Sequence, residues 1–229
     1  MNPNPTEKDD RHARTKKIQK STMGNKKGTS DRAADLISKV LAPQSVAFLV
    51  VLILAFASPI GTGPLLNSLY CFLLGIAFIV VLPVSPVLVA YALGRTDIWV
   101  SSRTSRTPFF ILAIMTYLIG SLIFFYGKST AMYAISLSYV FVTLGVTLIN
   151  LKWKISVHAA GIAGPSTALV GVFGLAALPI VALIVLVVWA RIKLKAHTPW
   201  QSIAGAIVGV LITLGVYVIF YPLLGPSFL

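Results

Sequence analysis

The chain has 229 residues, 57% of them hydrophobic and only 11% charged, with a mean hydropathy of +0.88. That composition excludes an ordinary soluble domain and is that of an α-helical integral membrane protein. The formal charge of +13 would suit nucleic acid, but ten of the nineteen Lys and Arg lie in the first 43 residues and the rest between apolar runs, so the membrane surface accounts for the charge and no nucleic-acid partner is expected.

Residues 1–42 are polar and basic, with Lys16-Lys17, Lys20 and Lys26-Lys27 set among Ser, Thr, Asn and Gly. Such a composition cannot bury a core, and it predicts a mostly disordered cytoplasmic arm that touches anionic headgroups. A short helix over Asp31–Leu41, with Asp31 as its N-cap, is the one element expected there. The first apolar run begins too late for a cleaved secretory signal.

Residues 43–229 are expected to form one polytopic all-α bundle of six to seven spans. Span 1 runs from Pro43 to Ile60 and turns at Gly61-Thr-Gly-Pro. Span 2 covers Leu66–Leu93, where Pro83 and Pro86 supply a cause for a kink. A polar loop, Gly94 to Thr107, leads to span 3 (Pro108–Tyr126), and a turn containing Lys128 leads to span 4 (Thr130–Leu151). After Lys152-Trp-Lys-Ile-Ser-Val-His158 comes an apolar stretch, Ala159–Ala190, which as one helix would reach nearly 50 Å against a hydrocarbon core of about 30 Å. It must therefore double back, between Gly171 and Pro179, into spans 5 and 6. Span 7 runs from Ser202 to Tyr221 and is closed by Pro222 and Pro226.

The loops after spans 2, 4 and 6 are separated by pairs of spans and so share one face. They carry Arg95, Arg103, Arg106, Lys152, Lys154, Arg191, Lys193 and Lys195, whereas the opposite loops hold only Lys128. With the basic arm, this predicts a cell-membrane protein with its N-terminus and these loops cytoplasmic. The same three loops bring chemistry together. His158 and His197 each follow a basic group and precede an apolar helix, and imidazole can give and take protons near neutrality. Beside Arg103, Arg106, Ser156 and Arg191 they make the parts of a phosphoryl-transfer site: guanidinium forks for phosphate oxygens, hydroxyl and helix N-terminal donors, one imidazole to attack phosphorus and one to protonate the leaving oxygen. Acidic residues are scarce, with only Asp97 after Asp35, and Cys71 is the single cysteine. No carboxylate pair, metal cage or cysteine cluster is expected, nor any cofactor.

In order and placement these segments resemble the type 2 phosphatidic-acid phosphatase superfamily, whose members share the motifs KxxxxxxRP, PSGH and SRxxxxxHxxxD. The third reads here Ala190-Arg191, five residues, His197, three residues, Gln201. The second reads Ile155-Ser156-Val157-His158. The first is represented by Arg106-Thr107-Pro108, with Arg103 nearby and Trp99 in the place of its lysine. The resemblance covers residues 67–215, and the run His-Thr-Pro-Trp-Gln-Ser-Ile-Ala-Gly looks like a bacterial and archaeal subgroup with Gln at the Asp position. It implies the fold of that superfamily, with His197 as the nucleophile and His158 as the general acid. Arg191, Arg106 and Ser156 would hold phosphate, and Gln201 would accept the imidazole N–H without supplying the charge of the Asp it replaces. The expected activity is hydrolysis of a lipid phosphate or isoprenyl diphosphate, through a phosphohistidine and without metal. A catalytically silent relative that binds phospholipid headgroups and a small transporter are the alternatives. Plain structural readings attach to other residues. Arg103 stands between phosphate contact and topology anchor, Lys193 and Lys195 read as snorkelling anchors, and Trp99, Trp153, Trp189 and Trp200 read as interfacial residues without chemistry. Gly161, Gly164 and Pro165 are expected to serve helix packing.

Overall fold

A computed structural model describes residues 28–223, with side chains to Phe220, and among these residues every regular element is helical. The greater part of the basic arm lies outside them. α1 spans Thr29–Val40 and not Asp31–Leu41, because the Gly28 carbonyl already accepts from the N–H groups of Asp31 and Arg32. Asp31 is thus not the cap but sits in the first turn, where its carboxylate faces the positive end of the helix dipole.

α2 (Pro43–Ala57) starts on a proline at a position where no N–H is needed, and it ends at Ser58, earlier than expected. Its 15 residues rise only about 22 Å, short of the hydrocarbon core. α3 (Ser68–Gly75) is capped by Asn67, whose side chain accepts from the Tyr70 N–H at 2.9 Å. A π-helical segment, Ile76–Val81, carries the chain into α4 (Leu82–Ala92), which contains Pro83 and Pro86. The two prolines are thus absorbed by a wide turn just before them, as prolines without N–H donors favour. α5 (Thr107–Tyr126) follows a single 3-10 turn, Thr104–Arg106, and α6 spans Thr130–Asn150. α7 (Val157–Phe173) stops at Gly174, whose φ of +66° only glycine adopts at no cost. The chain then turns through 3-10 helix Gly174–Val181 into α8 (Ala182–Lys193), and α9 (Pro199–Leu223) ends the described part, with Pro222 inside the helix.

Five helical stretches are long and apolar enough to cross a membrane: Ser68–Ala92, Thr104–Tyr126, Thr130–Asn150, Val157–Lys193 and Pro199–Phe220. A sixth counts only if α1 and α2, bent by 49° at their junction, are taken as one span. The sequence-based count of up to seven differs for two reasons: α2 is too short alone, and Val157–Lys193 registers as one stretch. That stretch nevertheless folds back as expected, since His158 near its start and Arg191 near its end line the same cavity. α6 and α7 form the centre, with 14 of 21 and 11 of 17 residues buried. The large exposed apolar side chains, such as Leu112, Met115, Leu118 and Leu122 of α5, lie outward where lipid would meet them.

The tightest packing joins α9 to α7. A Cβ at Gly205 would run into the Ser156 carbonyl oxygen, and one at Gly209 would lie 2.7 Å from that of Ala160. Small residues four apart let two backbones approach this closely. The contact matters for function because it fixes the start of α7, where His158 lies, against the start of α9, which follows His197. Gly161 against Pro43 and Gly164 against Thr213 are likewise packing positions.

Candidate functional site

Three separated segments meet at one end of the bundle. The first is the loop before α5. Asp97 organises it, its carboxylate accepting from the N–H groups of Trp99 and Ser101, both at 2.9 Å, and from the Ser101 hydroxyl at 3.0 Å. The turn of Thr104–Arg106 then points Arg106 inward, where it is only 6% exposed. Its Nε donates to the Val100 carbonyl at 2.8 Å and its Nη1 to that of Ile155 at 3.3 Å. The second segment is the start of α7, and the third runs from Arg191 to His197 between α8 and α9.

Arg106, Arg191, His158 and His197 line one end of a cavity of about 470 Å³. Both histidines are buried, and His158 Nε2 and His197 Nδ1 have no hydrogen-bond partner among the described residues. Arg191 Nη1 donates to Ser38 Oγ at 2.8 Å, while its Nε is buried and without a partner among the described residues. Among the described residues, neither guanidinium has a carboxylate within salt-bridge distance. Two guanidiniums turned into a cavity with only neutral oxygens as partners leave donors and positive charge unmatched. Such a site favours an anion with several acceptor oxygens.

The field of this cluster acts on its neighbours. Burial, and then Arg191, Arg106 and Lys154, push the His197 imidazole down to about 3, with the Gln201 side chain acting the other way. His197 is therefore neutral at pH 7, the state in which a ring nitrogen has a lone pair to offer. Partial burial holds the Lys154 ammonium below its usual value, as do Arg106 and Arg191, while Asp97 opposes them.

Of the residues expected at the site, His158, His197, Arg106 and Arg191 line the cavity, whereas Ser156, Arg103 and Gln201 are occupied elsewhere. Ser156 is fully buried as the N-cap of α7, its hydroxyl accepting from the Ala159 N–H at 3.3 Å. Arg103 is turned onto the end of α6, where its guanidinium donates to the carbonyls of Asn150 and Leu151 while the Asn150 amide donates back to the Arg103 carbonyl. It closes a helix C-terminus, satisfying carbonyls that have no partner in the helix. Gln201 lies close enough to His197 to act on its imidazole, yet it makes no well-aligned hydrogen bond to Nδ1. Its Oε1 accepts from the Thr198 N–H at 3.1 Å, while its own N–H donates to Thr198 Oγ1 at 3.3 Å. This reciprocal pair is a capping box that starts α9.

Two further residues enter the site, Trp99, which the sequence reading gave no chemistry, and Ser38, which it did not single out. Trp99 is no plain interfacial anchor: its ring lies 5.3 Å from that of His158, tilted by 54°, and it lines the cavity. Ser38, only 3% exposed on α1, holds Arg191. No local pattern signals the second contact, because the two residues are 153 positions apart. Set against known proteins, the chain matches no family model, no curated protein and no solved structure.

Proposed function

We propose that the protein is a membrane lipid-phosphate phosphatase of the type 2 phosphatidic-acid phosphatase kind, hydrolysing a phospholipid phosphate or an isoprenyl mono- or diphosphate. The observation that carries this reading is the convergence of Arg106, Arg191, His158 and His197, drawn from three separate segments, on one end of one cavity. Arg106 and Arg191 bind the phosphate oxygens and stabilise the charge that gathers on them in the transition state. Neutral His197 attacks phosphorus as the bond to the leaving oxygen breaks, and His158, entering as imidazolium with the anionic substrate bound beside it, gives that oxygen its proton, so a phosphohistidine and a lipid alcohol form. For a diphosphate the leaving group is the lipid monophosphate. Water then attacks the phosphohistidine, returning its proton to His158 and releasing inorganic phosphate and neutral His197.

A second reading, a catalytically silent protein that binds lipid phosphates, is favoured by Gln201. It serves as a helix cap, and among the described residues His197 Nδ1 lacks the partner that would fix its tautomer. The test is phosphate release by the purified protein in detergent with chelator present, offering phosphatidic acid, isoprenyl monophosphate and isoprenyl diphosphate. His197→Ala is run beside it. Release that disappears in the variant is the expected result. Binding of these lipids with no release from any of them establishes the silent reading.

A further inference from the structure

The cation cluster is only the mouth of the cavity, and the remainder points to a ligand tail. From Arg106, the residue that leads into α5, the lining continues along the helix through Phe109, Phe110, Ala113 and Tyr117 as one stripe. From Arg106 to Tyr117 the helix rises about 16 Å, roughly half of a hydrocarbon core of about 30 Å. On α6 the lining descends in the same way, from Val146 at the mouth end through Val142 to Tyr139 and Ile135. α7 faces the space with the small residues Ala160, Gly161 and Gly164. At the deep end the Tyr117 and Tyr139 rings are in contact, their centroids 5.1 Å apart, beside the buried Ile79 and Ile135.

We propose that this cavity is the tail site of a single-chain lipid phosphate, with the Tyr117–Tyr139 pair as the floor that limits chain length. The proposal rests on Arg106 and Arg191 being the phosphate ligands, and it narrows the substrate class to one-chain lipids over two-chain glycerophospholipids. The charge pattern commits the orientation, since the phosphate can sit only at the cationic mouth and the chain then runs inward. Volume sets the occupancy. If a methylene-sized unit takes roughly the 30 Å³ of a water molecule, about 470 Å³ corresponds to about sixteen units, the length of one long alkyl chain. The gain on filling comes from contacts that an apolar lining otherwise forgoes.

The experiment is thermal stabilisation of the full chain in detergent by octyl, dodecyl, hexadecyl and eicosyl phosphate, and by dioleoyl phosphatidic acid. Stabilisation is expected to rise to an optimum at dodecyl or hexadecyl phosphate and to fall for eicosyl phosphate and for the two-chain lipid. Tyr139→Ala should move the optimum up by one step of the series, and Tyr139→Phe should leave it in place. Ala113→Leu, which fills the stripe above the floor, should move it down, so the proposal stays testable if Tyr139→Ala does not fold. Arg191→Gln should weaken stabilisation by every alkyl phosphate. Stabilisation that climbs steadily through eicosyl phosphate, or an optimum unmoved in whichever of the Tyr139→Ala and Ala113→Leu proteins folds, overturns the tail site. Phosphate release is read separately. A length optimum without release leaves the tail site standing and removes only the phosphatase reading, whereas release with no length dependence removes only the tail site.

Discussion

Ser38→Ala isolates the contact that holds Arg191. In the structure Arg191 Nη1 donates to Ser38 Oγ at 2.8 Å, and Nε is already without a partner among the described residues. Removing the hydroxyl leaves a second donor of a largely buried cation without a partner, and hydrogen bonds to charged groups contribute about 1.5–3 kcal/mol. The variant should lose stability within that range. It should also bind phosphate less well, because a guanidinium no longer fixed by Ser38 must be immobilised on binding. For a long side chain that ordering costs about 0.5–1.5 kcal/mol, which is about two- to twelvefold in affinity. The assay pairs thermal unfolding in detergent with titration by inorganic phosphate, and where turnover is measurable the loss should fall on KM more than on kcat. Ser38→Thr, which keeps the hydroxyl, should restore binding. Reduced stability with unchanged phosphate affinity would make Ser38 a packing residue. Tighter binding would make it a competitor for Arg191, and either result refutes the positioning argument.

Gly209→Ala should destabilise by about 1–3 kcal/mol, because its Cβ would lie 2.7 Å from the backbone oxygen of Ala160. Gly215→Ala, with nothing within 4 Å of the new methyl group, should be neutral or stabilising by up to about 1 kcal/mol, and a pair of melting curves checks both. Gln201→Ala should cost about 0.5–2 kcal/mol as a lost cap. Gln201→Asp should raise turnover by giving His197 Nδ1 a charged acceptor, and if phosphate release does not rise, the missing charge is not what limits the site. The pH dependence has a definite sign. The folded His197 value of about 3 lies below the ordinary 6.5, so between those values the unfolded chain binds the extra proton. Its contribution to stability is full above pH 6.5, falls as pH drops toward 3, and should vanish from the unfolding profile of His197→Phe.

The helices were legible because length and apolarity alone demand them. The doubling back of Val157–Lys193 followed from arithmetic, a straight helix being far too long for the bilayer. The meeting of three loops followed from alternation of the spans. Side-chain allegiance was harder to read, because the same residue types serve backbone and ligand. Ser156 and Arg103 went to helix ends, where the first N–H groups and last carbonyls need partners. For Gln201 the competing signal was present in the sequence: Thr198-x-x-Gln201 ahead of an apolar helix is a capping box, and that local demand outweighed the resemblance to a distant motif. The Ser38–Arg191 contact had no such signal, since only the folded bundle brings α1 to the end of α8.

Burial separates two kinds of basic residue that loop counting treats alike. Arg95, Lys152, Lys193 and Lys195 are exposed, as anchors in a headgroup layer should be. Arg106, at 6% exposure, and the partly buried Arg191 face a cavity with no carboxylate within salt-bridge distance among the described residues, Asp97 acting on Arg106 only from further away. Anchoring alone does not account for that placement. An anchor gains by staying in water and loses when desolvated, and two desolvated like charges also repel. Removing Arg106 and Arg191 from the topology count still leaves four exposed cations at this end against Lys128 at the other. The exposed cations that bear on orientation are therefore different residues from the buried arginines of the cavity.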